Sequence, residues 1–129
     1  MKIKELYKPG TLASVDLGES LSEAADKMAG NEVGALAVMK GGRFVGILSE
    51  RDLVVSMTDE ADSKDTQVGD YMTPEPMTAE PLSDAEEVIG LMLEAGVRHM
   101  PVTDNGSLVG MVSLRDLIAL AVWPSMQSS

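Results

Sequence analysis

The chain has 129 residues, of which 44% are hydrophobic and only 3% aromatic, and its formal net charge is −11. These values predict one compact domain with an aliphatic core. They argue against a disordered chain and against a nucleic-acid partner, because nucleic-acid binding depends on clustered Lys and Arg. Since cysteine is absent, disulfides, thiolate metal sites and cysteine nucleophiles are excluded.

The first half of the chain predicts the element order β-α-β-β-α. A short strand over residues 11–16 precedes a helix that starts after Ser20, where apolar residues recur at i, i+3, i+4 and i+7. Two β-rich runs, residues 33–39 and 43–48, flank a Gly-containing turn and predict a hairpin. A second helix is expected after Ser49.

The second half predicts the same order. A strand is expected over residues 77–80, followed by a helix that starts after Ser83 or the next residue. Residues 97–103 and 108–112 flank an Asn-Gly turn, which is a strong hairpin signal. A further helix is expected after Ser113.

The remaining segments predict no additional domain. Residues 58–67 are polar and acidic and predict a solvated linker, and residues 124–129 predict a frayed tail. The longest apolar run, residues 117–123, is far shorter than a membrane span, and no hydrophobic segment follows the N-terminus. We therefore expect a cytoplasmic protein with no membrane partner.

The two halves are copies of one unit. The segment from Gly46 to Asp52 recurs from Gly110 to Asp116, and both of its ends recur at an offset of 64 residues. This repetition predicts one α+β fold built from two β-α-β-β-α repeats, with residues 1–64 in the first and 65–129 in the second.

The repeated Ser-x-x-Asp pattern has two explanations from the residues alone. Ser49 with Asp52, and Ser113 with Asp116, match the capping box, in which hydroxyl and carboxylate satisfy the N–H groups of a helix end. A carboxylate one turn into a helix can also accept hydrogen bonds from the two hydroxyls of a ribose. Repetition does not separate these, because a repeated fold repeats its caps.

The doubled Gly-x-x-Ser-x-x-Asp segment, the element order and the Arg98-His-Met-Pro-Val102 strand resemble a tandem pair of CBS (cystathionine β-synthase) domains, or Bateman module. The resemblance implies that the repeats pack around a pseudo-twofold axis and leave two clefts for adenosine-containing ligands. It also implies that binding there regulates an attached or separate protein and that no reaction is catalysed. Such modules commonly form homodimers.

The resemblance also implies two sets of nucleotide-binding residues. The second repeat is the better candidate, because its Arg98 and His99 correspond to Gly34 and Ala35 in the first repeat, which have no polar side chains. Its predicted site residues are Thr78, Arg98, His99, Met100, Pro101, Ser113, Arg115 and Asp116. Those of the first repeat are Ser14, Ser49, Arg51 and Asp52.

The expected regulatory ligand is an adenine nucleotide, namely AMP, ADP, ATP, NAD or S-adenosylmethionine, and the regulated partner is unknown. A metal site is not expected, because His99 is the only histidine and no cysteine can join it. An enzyme is not expected, because no nucleophile and base converge. The alternative is a ligand-free module for protein interaction or dimerisation.

Overall fold

The computed structural model describes residues 1–7 and 12–122, which fall into two compact units. The first unit is Leu12–Pro76, and the second unit combines residues 1–7 with residues 77–122. Each unit has a buried aliphatic cluster of its own. The expectation of a single compact domain stays a prediction. The division of the chain after residue 64 stays a prediction.

The first unit contains four strands and two α-helices. In chain order these are β1 (Ser14–Asp16), α1 (Leu21–Asn31), β2 (Ala35–Lys40), β3 (Arg43–Ser49), α2 (Glu50–Thr58) and β4 (Thr73–Pro74). The sheet order is β1-β2-β3-β4, with β1 parallel to β2 and the other pairs antiparallel. Helix α1 packs Leu21, Ala24 and Met28 into the core, as the helical spacing predicted.

The second unit repeats this pattern with fewer strands. It contains α3 (Ala85–Ala95), β5 (His99–Asp104), β6 (Ser107–Ser113), α4 (Leu114–Leu117) and a π-helical turn (Ile118–Val122). Strands β5 and β6 form an antiparallel hairpin, as predicted. Asn105 and Gly106 at its turn have φ of 51° and 83°, the left-handed conformations that an Asn-Gly hairpin turn uses.

The strand predicted over residues 77–80 is reduced to one parallel bridge between Ala79 and Val102. The N–H of Ala79 donates to the Pro101 carbonyl at 2.9 Å, and the Thr103 N–H donates to the Ala79 carbonyl at 2.9 Å. Pairing with β5 does not continue because the next N–H that would face it is that of residue 81, and Pro81 has no N–H to donate.

The glycines that open the repeated segment permit close backbone contacts. A Cβ added to Gly46 would lie 2.8 Å from the Thr73 carbonyl oxygen of β4, and one added to Gly110 would lie 2.5 Å from the ring of Tyr7. Tyr7 and Thr73 belong to the segments that precede the repeats. Tyr7 therefore packs against the β5-β6 hairpin of the second unit, and Thr73 packs against the β2-β3 hairpin of the first unit.

The acidic segment after α2 lies inside the first unit and bonds to one of its helices. Its side chains are largely exposed, as predicted, but its carbonyls at Ser63 and Thr66 accept the Ser22 and Leu21 N–H groups of α1, at 2.8 and 3.0 Å. It therefore caps a helix of the first unit. The predicted tail, residues 124–129, lies outside the described residues. Among the helices described, none has the length and apolarity that a bilayer span requires.

Candidate ligand-binding site

The second unit brings most of its predicted site residues to the start of α4. Ser113 ends β6 with extended backbone angles and is the N-cap of the helix, where its Oγ accepts the Asp116 N–H at 3.1 Å. The Leu114 N–H donates to the Arg98 carbonyl at 2.8 Å. Two N–H groups of this helix end are thus satisfied by the chain itself, which reduces what the backbone alone can offer a phosphate.

Asp116 presents an exposed carboxylate at this helix start. In the part of the chain that the structure describes, its carboxylate accepts no hydrogen bond from the Ser113 N–H or hydroxyl. The serine half of the capping box is therefore formed and the carboxylate half is not. An exposed carboxylate in this state can accept hydrogen bonds from an incoming ligand.

Strand β5 connects the other predicted residues to this helix start. Its first residue, His99, pairs in register with Ser113. Arg98 is exposed immediately before the strand. Thr78 is exposed and precedes Ala79, which is bonded to the Pro101 carbonyl of the same strand. Thr78 therefore lies next to a residue bonded to β5, Arg98 immediately precedes this strand, and the His99–Ser113 pair joins it to β6. Arg115 and Asp116 follow in the first turn of α4.

Met100 and Pro101 differ from the other predicted residues because both side chains are buried. Met100 is only 1% exposed and belongs to the core of the second unit, and Pro101 is also fully buried. Their side chains contribute to the packing that holds β5 in place. Direct ligand contact by Met100 and Pro101 stays a prediction.

The first unit has the same helix start with a different hydrogen-bond pattern. Ser49 is the N-cap of α2, and its N–H and Oγ both donate to Asp52 Oδ2, at 2.8 and 3.1 Å. The Asp52 N–H donates back to Ser49 Oγ at 3.4 Å. The capping box is complete here, so the Asp52 carboxylate is engaged by its own helix end.

The remaining predicted residues of the first unit are Arg51, which is the counterpart of Arg115, and Ser14. Arg51 is exposed, and Ser14 is exposed on β1, where it pairs in register with Ala37. The Glu50 N–H donates to the Gly34 carbonyl at 3.0 Å, the counterpart of the bond between Leu114 and Arg98. Gly34 and Ala35 supply no side-chain cation or imidazole at the positions of Arg98 and His99.

Metal binding finds no support among the described residues. Within residues 1–7 and 12–122, no three His, Asp or Glu side chains are grouped so that they could hold an ion. The polar groups at the α4 helix start are a hydroxyl, a carboxylate that accepts hydrogen bonds and guanidinium groups that donate them, and they suit a polar organic ligand with hydroxyl and anionic groups.

The sequence model of the CBS domain matches residues 4–59 and 68–122. The chain belongs to the CBS domain family. It is 32% identical over 106 residues to the CBS domain-containing protein YhcV of Bacillus subtilis, covering 82% of this chain and 76% of that protein. The predicted tandem CBS pair and its α+β class are confirmed.

Two solved structures resemble this CBS pair closely. The crystal structure of the CBS domain NE2398 is 33% identical, with a TM-score of 0.87 over 95% of this chain and 98% of that chain. A CBS domain protein from Pyrobaculum aerophilum, complexed with AMP, is 26% identical, with a TM-score of 0.85 over 98% of this chain and 95% of that chain. The same fold thus accommodates AMP in a similar protein.

Proposed function

We propose that this CBS pair is a regulatory protein that binds an adenine nucleotide at the α4 helix start of the second unit and catalyses no reaction. The observation that carries the proposal is the exposed Asp116 carboxylate, which its own helix cap leaves unengaged in the described chain. The similarity to a CBS domain protein complexed with AMP supports the choice of ligand.

The ribose and the phosphate of the nucleotide each have a matching group. The Asp116 carboxylate accepts hydrogen bonds from the 2′- and 3′-hydroxyls of the ribose. Arg98 and Arg115, both exposed, supply charge-assisted hydrogen bonds to phosphate. Because the Leu114 and Asp116 N–H groups are already bonded, these arginines carry most of the phosphate interaction. His99 and Thr78 complete the polar groups around β5.

Regulation follows from differential binding. A ligand that joins α4 to β5 stabilises the conformations of the second unit in which these elements keep their present spacing, and it shifts the population toward them. An unidentified partner protein that recognises this conformation is then regulated by nucleotide concentration. A cytoplasmic location and a homodimer remain predictions.

A thermal-shift series tests the proposal. Wild-type protein is heated with AMP, ADP, ATP, NAD or S-adenosylmethionine, and each melting temperature is compared with that of the free protein. A nucleotide at 100 times its dissociation constant stabilises the folded state by about 2.7 kcal/mol, which corresponds to several degrees. Stabilisation by at least one nucleotide supports the proposal, and no stabilisation by any of the five contradicts it.

The second candidate function is a ligand-free module for dimerisation, and the surface of α2 favours it. Val54, Val55 and Met57 are 60%, 45% and 76% exposed, whereas Ser56 on the same helix is 4% exposed. A helix that exposes apolar side chains and buries a serine is typical of an interface. Sedimentation of wild type and a Val54→Ser/Met57→Ser variant distinguishes the functions: a ligand-free module loses its dimer in the variant and shows no nucleotide stabilisation.

A further inference from the structure

A second surface feature of the first unit lies away from the Ser49 helix start. It is an open groove of about 550 Å³ beside the beginning of β3. Strand β3 runs from Arg43, which lines the groove, to Ser49, six residues further, and this separation amounts to about 20 Å in an extended strand. The groove is therefore separate from the Ser49 helix start.

The groove has apolar walls. Phe44, the only phenylalanine of the chain, lies here with Val45, and both are half-buried. The remaining apolar lining residues are Leu17, Met72, Pro74 and Pro76. Aromatic and aliphatic walls are typical of the surfaces that small molecules contact.

One wall is a constrained backbone segment, Pro74-Glu75-Pro76. Glu75 has φ of +45°, a left-handed conformation that is uncommon for residues other than glycine and is further disfavoured before proline. Its N–H donates to the Val45 carbonyl at 3.2 Å, which holds the segment against β3. Pro74 has no N–H, so this sheet edge is a poor template for an added peptide strand, and a small molecule fits the groove better.

The rim of the groove carries two cations. Lys40 and Arg43 flank the hairpin turn, pair in register and are exposed. Neither forms an ion pair within residues 1–7 and 12–122. The chain as a whole has a net charge of −11, so a soluble anion is repelled in general and is attracted where such cations lie beside an apolar surface.

We propose that this groove binds a small organic anion that has an aromatic or other apolar ring body and a single carboxylate or sulfonate group. The ring body packs on Phe44 between β3 and the Pro74-Glu75-Pro76 wall. The anionic group contacts Lys40 and Arg43. Glu75 also lines the groove, and its negative charge directs the anionic end of the ligand toward the two cations.

The test uses two fluorescent probes that differ in one group, 8-anilinonaphthalene-1-sulfonate and the neutral N-phenyl-1-naphthylamine. Both are titrated into the full chain at low ionic strength. We expect the sulfonate probe to bind wild type at least about tenfold more tightly than the neutral probe, since a hydrogen bond to a charged group is a strong one. Equal affinity for both probes would contradict the anion site.

Matched variants locate the site. Lys40→Gln/Arg43→Gln is expected to weaken binding of the sulfonate probe about tenfold, and Glu75→Gln is expected to strengthen it. The control Lys4→Gln/Lys64→Gln removes the same charge at exposed positions outside the groove and is expected to change affinity less than twofold. Equal losses in both double variants would show a general field effect and overturn the proposal.

Two further controls separate the groove from other surfaces. Val54→Ser/Met57→Ser removes exposed apolar side chains of α2, and Asp116→Ala alters the proposed nucleotide site. We expect both to bind the sulfonate probe as wild type does, whereas Phe44→Ala loses most of the binding. Loss of probe binding in the α2 variant would place the probe on that helix instead, and absence of probe binding to wild type would also reject the site.

Discussion

The helix starts at Ser49 and Ser113 have the same Ser-x-x-Asp pattern and use the aspartate differently. In the first unit, the Asp52 carboxylate accepts the Ser49 N–H at 2.8 Å and its hydroxyl at 3.1 Å. In the second, only the serine hydroxyl caps the helix, and Asp116 is exposed. The comparison teaches that one repeated motif can form a complete capping box in one copy and leave the carboxylate unengaged by the cap in the other.

The largest expected effect is on nucleotide affinity. Asp116→Ala is expected to weaken binding of AMP by about tenfold or more, because a hydrogen bond to a charged group contributes about 1.5–3 kcal/mol. Asp52→Ala is the matched control, and its affinity for AMP is expected to stay within about twofold of wild type. Isothermal titration calorimetry measures both. Equal losses in the two variants would show that the helix starts are functionally equivalent.

The stability of the same two variants is expected to show the opposite ranking. Asp52→Ala breaks the carboxylate half of a capping box and is expected to lower the free energy of unfolding by about 1 kcal/mol. Asp116→Ala breaks no such bond and is expected to change it by less than about 0.5 kcal/mol. Urea denaturation of the ligand-free proteins measures this. A larger loss for Asp116→Ala would mean that Asp116 is the structural residue.

Arg98→Gln tests the difference between the units at the start of β5, where the first unit has Gly34 in place of Arg98. Arg98 is exposed, so its interaction with phosphate is worth up to about 1 kcal/mol, or a factor of about five in affinity. The loss is expected for AMP and absent for adenosine, which has no phosphate. An equal loss for AMP and adenosine would assign Arg98 to the base or the ribose instead.

The smallest expected effect concerns a hydrogen bond that both units make with different chemistry. The Asp16 N–H donates to Glu19 Oε1 at 3.0 Å, and the corresponding Glu80 N–H donates to Ser83 Oγ at 3.0 Å. The bond from Asp16, with a further contribution from Lys27, lowers the pKa of Glu19 below its ordinary value of 4.5. Only in the first unit, therefore, is the acceptor of this bond a carboxylate that can be protonated.

The sign of the pH effect follows from this lowered pKa. The ionised Glu19 stabilises the fold at pH values above 4.5, and this contribution is lost as the pH falls through the lower pKa of the folded state. The difference in unfolding free energy between wild type and Glu19→Gln is expected to be constant near neutral pH and to shrink below pH 4.5. A difference that does not change with pH would show that the carboxylate charge has no role in the bond.

The sequence predicted the elements well because each has a local signal. Helix α1 follows from its apolar spacing and from Ser20, whose Oγ accepts the Glu23 N–H at 3.1 Å. The β5-β6 hairpin follows from its Asn-Gly turn. The strand prediction over residues 77–80 was wrong in extent, because Pro81 has no N–H with which to continue the pairing with β5.

The site could be predicted only in part. Its residue types and positions follow from the repeat and the family resemblance. Whether each aspartate carboxylate is bonded by its own helix cap does not follow, because both arrangements share one sequence pattern. The contacts at Gly46 and Gly110 were also beyond prediction, since Thr73 and Tyr7 are distant in sequence. The groove beside Phe44 depends on the same kind of long-range pairing between β3 and β4.

The central claim is that the Asp116 carboxylate binds the ribose hydroxyls of the nucleotide. The most direct measurement is a thermodynamic cycle in which AMP and 2′,3′-dideoxy-AMP are titrated into wild type and Asp116→Ala. We predict that removing the hydroxyls weakens binding to wild type by about tenfold or more and has little effect on the variant. The same discrimination in both proteins would contradict the claim.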